Sequence, residues 1–356
     1  MLISLAGCGP TPPNAADQPQ SDKDIIRDED EGKEDIVEEE TLTIADYYPF
    51  VENQIMDYEG IGNEFAEKKS FIEFVENNRM QMKIINPGTT FVKVMEYKNG
   101  ALTEVFSEGE FYHVENMLNA STNTNNIILQ EPLQVGTSWT TEEGLTNEIT
   151  SIDKEIETHS GAYKALEVTS QLEGGGSNKD YYVKGVGLVA SIYVDGEFEV
   201  KTLLKERKND KIEMEIVTYY PRSQELEIVT ESVKQNISFA TNDNIEDILE
   251  KTMKEPPSDK LLPVISEGTK INKINLDRNT WTLEVDFSKE LLTEMNAGSS
   301  LEGEILESLV NTLGDFYDVD KVYISVEGQP YESGHFAIGE EEFFKVDKDG
   351  IKEFNE

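Results

Sequence analysis

The chain has 356 residues with 31 Lys and Arg against 72 Asp and Glu, a formal net charge of −41. Nucleic-acid binding needs clustered cations to neutralise phosphates, and no stretch carries such a cluster, so DNA and RNA are excluded as partners. An anionic lipid surface is disfavoured for the same reason. A hydrophobic fraction of 37% with 15 Phe, 14 Tyr and 2 Trp is enough for buried cores, and at roughly 100–200 residues per domain the length predicts two folded domains.

The one cysteine, Cys8, rules out an intramolecular disulfide and any multi-cysteine metal site. Leu5-Ala6-Gly7-Cys8 looks like a bacterial lipobox, in which the thiol is joined to diacylglycerol after signal-peptide cleavage. Residues 1–8 are read as a truncated signal peptide, because Met1 to Leu5 is shorter than the usual basic and apolar leader. The membrane is therefore an expected partner through a lipid on Cys8, on the extracytoplasmic face of the cell membrane. No other run approaches the roughly 20 apolar residues of a spanning helix.

Residues 9–41 form a Pro-rich and then acidic stretch. Asp22 to Glu40 holds 11 acidic and 3 basic residues, a net charge of −8, with isolated Ile and Val. Such composition cannot bury enough apolar surface to offset the entropy of ordering, so a self-repelling, disordered spacer is expected.

Residues 42–208 read as β-rich. Alternating runs at Phe71 to Phe74, Phe91 to Tyr97, Lys164 to Gln171, Asp180 to Val183 and Leu188 to Val194 are separated by turn signals. Asn99-Gly100 and Asp195-Gly196 stand where hairpin turns want positive φ. The expectation is an antiparallel sheet curved like a half-barrel, with one weak helical pattern near Phe111 to Leu118. Tyr58-Glu59-Gly60, Gly136-Thr137-Ser138-Trp139, Gly161-Ala162-Tyr163 and Gly185-Val186-Gly187-Leu188-Val189 resemble recurring blocks of β-rich Gram-positive lipoprotein domains. That resemblance implies a shape and no chemistry.

Residues 209–345 change pattern, and 346–356 remain as a tail. Strands are expected at Lys211 to Thr218 and Glu225 to Val233, then a helix over Asn244 to Lys254 capped by Asp243 or Thr241. Strands at Thr269 to Leu276 and Thr280 to Phe287 follow, then a helix over Leu301 to Phe316 and a strand over Val319 to Val326. The order β-β-α-β-β-α-β predicts an α+β sandwich with helices on one face of an antiparallel sheet.

Seven blocks in this half fall in a familiar order: Leu262-Pro263, Gly268-Thr269, Leu283 to Ser288, Gly298-Ser299-Ser300, Leu309 to Leu313, Val319 to Val322 and Val326-Glu327-Gly328. Together they resemble the sporulation and spore germination domain GerMN, over roughly Tyr219 to Glu340. The resemblance implies an extracytoplasmic assembly module with no catalytic residue. The motif residues Asp286, Ser288, Gly298, Ser299, Asn311, Thr312 and Gly328 are expected to be structural or to face a partner. Ser299 or Ser300 is expected to cap the second helix, and Asn311 and Thr312 to bond back to the backbone or to a neighbouring strand.

Enzyme motifs are absent. His113, His159 and His335 have no metal-ligand spacing and are expected as ordinary surface or rim histidines, and no Gly-x-Ser-x-Gly elbow occurs. Asp347, Asp349, Gly350 and Glu356 imitate part of a calcium loop, but Lys345 stands at its first position. No cofactor or metal is expected. The sequence thus points to a non-enzymatic, lipid-anchored envelope protein that associates with itself or with a spore or envelope partner. The alternative is a lipoprotein carrier that holds a lipid or other apolar ligand in the β-rich domain.

Overall fold

Alternating strands and tight turns build one large sheet in the first half of the chain. The computed structural model describes residues 42–355 apart from Glu143 and Glu173; Cys8 and the acidic spacer lie outside the described residues. A short helix, α1 (Ile44–Tyr47), precedes β1 (Gln54–Ile61), β2 (Lys68–Glu76), β3 (Arg79–Ile85), β4 (Thr90–Lys98), β5 (Ala101–Gly109) and β6 (Asn126–Gln130). Then come β7 (Ser138–Thr140), β8 (Thr146–Thr158), β9 (Gly161–Gln171), β10 (Ser177–Val183), β11 (Gly187–Asp195) and β12 (Phe198–Asn209). These twelve strands form one sheet in the order β6-β5-β4-β3-β2-β1-β12-β11-β10-β9-β8-β7.

Pairing of β1 with β12 joins two meanders, and the free edges β6 and β7 then meet. Trp139 Nε1 donates to the carbonyl of Ile127 at 2.9 Å across that seam. The sheet is therefore a nearly closed barrel, which removes most of the exposed edge an open sheet would present. At the β4–β5 hairpin Asn99 and Gly100 take φ values of 54° and 72°, the left-handed pair that a two-residue turn requires.

The second half contains β13 (Ile212–Ser223), β14 (Ile228–Phe239), α2 (Ile245–Lys254), β15 (Ile271–Asp277), β16 (Thr282–Phe287), α3 (Glu290–Thr293), α4 (Ser299–Tyr317) and β17 (Lys321–Val326). Three two-residue strands follow: β18 (Gln329–Pro330), β19 (Phe344–Lys345) and β20 (Lys352–Glu353). The strands divide into two sheets, β13-β14-β20 and β15-β16-β17-β18 with β19 on β17. Two pairs are parallel, β14 with β20 and β16 with β17. The expectation of a single antiparallel sheet misses this, because α4 makes the crossover that a parallel β16–β17 pair demands.

Helix α4 packs against β13, β14, β16 and β17, and so lies between the two sheets and not on one outer face. Every residue from Ser308 to Gly314 is buried, so the helix has no solvated side there. Asn244 is the cap of α2, its side chain accepting from the Asp247 amide at 3.1 Å. The expected caps are used elsewhere. Asp243 accepts from the Ala240 amide, and Thr241 accepts from Asn53 and donates to the Ile72 carbonyl.

From Leu42 onward the chain forms one compact unit. Its largest apolar cluster joins Phe71, Phe74, Val92, Val94 and Phe106 of the barrel with Phe239, Ile245, Leu276 and Tyr317 of the second half. Ile72, Met80 and Met95, on β2, β3 and β4, belong to a separate cluster inside the barrel. Strands β2 to β4 are thus buried on both faces.

Residues Phe111 to Leu118 form no helix. Their carbonyls are taken instead by side chains of β3: Arg79 Nη1 donates to Leu118 O at 2.7 Å, Gln81 Nε2 to Glu115 O at 2.8 Å and Lys83 Nζ to His113 O at 2.5 Å. A weak local preference is overridden by three tertiary hydrogen bonds.

Candidate functional site

The motif residues of the second half are engaged inside the fold. Asp286, near the end of β16, accepts from Ser325 Oγ at 2.6 Å, from the Gly328 amide at 2.7 Å and from Asn272 Nδ2 at 2.9 Å. Burial works to raise its pKa, yet those bonds outweigh it and hold the carboxyl below its usual range. Gly328 has a φ of 74°, which lets its amide turn toward that carboxylate. Ser288 Oγ accepts from the Lys270 amide at 2.9 Å. Gly298 is the cap position of α4 with no side-chain cap bond, and Ser299 and Ser300 are already helical. Neither serine therefore caps the helix.

Asn311 and Thr312 answer the burial of α4. Asn311 is fully buried and makes two bonds to Asp347, donating to its carbonyl at 2.7 Å and accepting from its amide at 2.9 Å. Thr312 Oγ1 accepts from the Tyr219 amide at 2.9 Å. The first contact fastens the tail of the chain and the second fastens β13.

The barrel encloses a different kind of site. Its inner chamber, a cavity of about 260 Å³, is walled by β1 to β6, β10 and β11 and by Tyr48 and Pro49 after α1. A second chamber of about 250 Å³ lies toward the β7–β8 and β9–β10 turns, and the two share Ile128, Asn178, Asp180 and Tyr182. Met56, Met80, Met82 and Met95 line the inner chamber, four of the chain's nine methionines. Such a wall is soft and deformable. The outer chamber is more polar, with Asn126, Thr141, Asn147 and Ser170 on it.

Charged groups stand inside the inner chamber. Lys93 and Glu104 pair at 2.6 Å. Lys68 Nζ lies 4.8 Å from the Tyr58 ring centroid, with no carboxylate oxygen of a described residue within 4.0 Å. Asp180 accepts from Asn178 Nδ2 at 2.9 Å. Burial lowers the pKa of Lys68 and raises that of Asp180, where hydrogen bonds from Ser191 and Asn178 oppose it. Burial likewise pushes the hydroxyls of Tyr48, Tyr58 and Tyr182 up, so all three remain neutral donors. Sequence reasoning missed Lys68 and Asp180. The available signal was Met80-x-Met82 in a strand, alternation that places both thioethers on one face.

Residues 217–332 match the family model Germane, whose description is sporulation and spore germination. The chain carries a Germane domain. The tandem GerMN domains of the sporulation protein GerM from Bacillus subtilis are 22% identical, over 35% of this chain and 44% of that one, with a TM-score of 0.29. This chain therefore spans less than half of that structure. The first GerMN domain of the same protein is 19% identical over 35% of this chain and 94% of that one, with a TM-score of 0.28. A provisionally named lipoprotein from Clostridium perfringens is 19% identical over 38% of this chain and 91% of that one, with a TM-score of 0.23. No curated protein matches.

The Germane domain is fixed to the barrel by polar contacts as well as by the shared apolar cluster. Arg278, in its β15–β16 hairpin, reaches Glu115 at 2.8 Å and Glu108 at 3.3 Å. Burial works to raise the Glu115 pKa, but His113 and Arg278 outweigh it and hold the carboxyl below its usual range. Contrary to the expectation of a surface or rim position, His113 is buried, with its ring 4.2 Å from Phe111 and 5.1 Å from Tyr317 between centroids. His159 and His335 pair with Glu59 and Glu302.

Two hairpin tips of the Germane domain expose large apolar side chains. Leu226 is 98% exposed and Trp281 is 50% exposed. Trp281 also has a φ of 56°, a strained value for a bulky residue. Among the described residues no group of three or more His, Cys, Asp or Glu side chains is arranged to hold a metal. No helix among them is long and apolar enough to cross a membrane.

Proposed function

We propose that this is a non-enzymatic, extracytoplasmic protein of sporulation or spore germination, tethered by a lipid on Cys8, whose Germane domain docks on another copy or on an envelope partner. The Germane match over residues 217–332 carries the reading. Internal use of Asp286, Ser288, Asn311 and Thr312 supports it, because the domain's polar motif side chains are consumed by its own fold and its outer surface is left for contact. Trp281 is the anchor we assign to that surface. A half-exposed Trp on a strained turn, steadied through Arg278 three residues earlier, suits a contact hot spot.

Sedimentation velocity of the whole ectodomain over a range of salt tests this. Repulsion between chains of net charge −41 is screened by salt, so self-association strengthens as ionic strength rises, and Trp281→Ala abolishes it or abolishes capture of an envelope partner. Wild-type association and normal sporulation in the Trp281→Ala strain would overturn the assignment. Detergent-phase partitioning that is lost in Cys8→Ser checks the tether. A second reading, carriage of a lipid or apolar ligand by the barrel, is favoured by the two internal chambers.

A further inference from the structure

We propose that the barrel lumen binds a single-chain anionic amphiphile, with its apolar chain along Met80, Met82 and Met95 and its head group held by Lys68. The inference rests on the reading of the barrel as a carrier and is independent of docking by the Germane domain.

Shape gives the first step. The inner chamber, at about 260 Å³, falls just below the roughly 300–1,000 Å³ found for ligand sites. One apolar chain fits such a space better than two. Its lining of Met56, Ile72, Met80, Met82, Met95 and Leu188 is apolar and deformable, which suits a flexible chain of no fixed shape. The outer chamber is polar, and the two meet at Asp180 and Asn178. Lys68 lines the inner chamber together with Asn178 and Asp180, so a chain along the methionines can keep its head group in that chamber, toward the polar junction.

Charge gives the second step. Lys93 is neutralised by Glu104 at 2.6 Å, whereas no carboxylate of a described residue lies within 4.0 Å of Lys68. An unpaired cation in a low-dielectric space is costly unless something completes it. Asp180 stands on the same wall; burial raises its pKa, and hydrogen bonds from Ser191 and Asn178 and the charge of Lys68 oppose that. Asn178 and Ser191 add amide and hydroxyl groups beside it. A lysine on that wall with no carboxylate of a described residue in contact favours an anion as the completing group. Carboxylate and phosphate monoester heads share that chemistry.

The test uses the full ectodomain and the fluorescent probe dansyl-undecanoate. Dodecanoate and dodecyl phosphate are expected to displace the probe about tenfold more tightly than dodecanol, the size of a charge-assisted hydrogen bond, with dodecylammonium weaker still. Lys68→Met is expected to erase that tenfold advantage and leave dodecanol binding unchanged. Mass spectrometry of ligand extracted from the purified protein separates the sources, a free fatty acid from a lysophospholipid. Equal displacement by dodecanol and dodecanoate on the unaltered protein overturns the anion assignment and leaves the carrier reading, whether or not the Lys68 variant folds. Failure of every amphiphile to bind overturns both, and neither result touches docking.

Discussion

Strand β2 carries charge on both its faces, with β3 adding to the outer one, and the two faces treat it in opposite ways. On the outer face, against the Germane domain, Glu73 and Lys83 pair at 2.9 Å with side-chain exposures of 1% and 3%. Gln81 completes the set, donating to Glu73 and to the Glu115 carbonyl and accepting from the Met117 amide. On the inner face Lys68 faces an open chamber with no carboxylate oxygen of a described residue within 4.0 Å. A satisfied buried network pins the 113–117 segment to β3 in one arrangement, whereas an incomplete one marks a place where a further molecule can supply the missing group.

The largest expected effect comes from breaking the outer network. Lys83→Met leaves Glu73 buried without its cation and should cost about 3–5 kcal/mol in urea denaturation. Replacing both, Glu73→Leu with Lys83→Met, should recover most of that loss. A smaller loss, about 2 kcal/mol, is expected for Asn311→Ala, which orphans the amide and carbonyl of Asp347. An unchanged melting temperature with lost association would place Asn311 in an interface instead.

The half-buried Asp286 sharpens the comparison through pH. Its folded pKa is depressed, so its contribution is fully present above its unfolded value, near pH 4, and is lost as pH falls through the folded value. Thermal melts from neutral pH downward should show that decline, and Asp286→Asn should flatten it. The smallest effect is expected on the inner face. Lys68→Met removes an unpaired cation and should leave stability unchanged or slightly raised, in contrast to the same replacement at Lys83. Equal losses at the two lysines would erase the distinction between the faces.

Much of this architecture was legible along the chain. The left-handed pair Asn99-Gly100 announces the β4–β5 hairpin, because few other residues accept that backbone. The seven blocks in the second half identify the Germane domain, since turn glycines and alternating apolar residues recur in fixed order. The α4 stripe of Ile305, Leu309, Leu313 and Phe316 is a local periodicity and needs no neighbour to be seen.

Other features were hidden for physical reasons. In β2 the five residues from Ser70 to Phe74 are all buried, so the period-two signal that separates an inside from an outside face is lost. The helical pattern at Phe111 to Leu118 is real but short, and three β3 side chains outbid it for the backbone. Asn311 reads in sequence as a mediocre helix former, while its use is a bond to a residue 36 positions away.

Sequence alone set the acidic charge, the turns, the strand runs and the identity of the Germane domain, all of which rest on residues close together in the chain. Tertiary structure decided the closure of the barrel through Trp139, the separation of paired Lys83 from unpaired Lys68 and the chambers between the strands. Each of these depends on which strands lie side by side, and a nearest-neighbour pattern carries no record of that pairing.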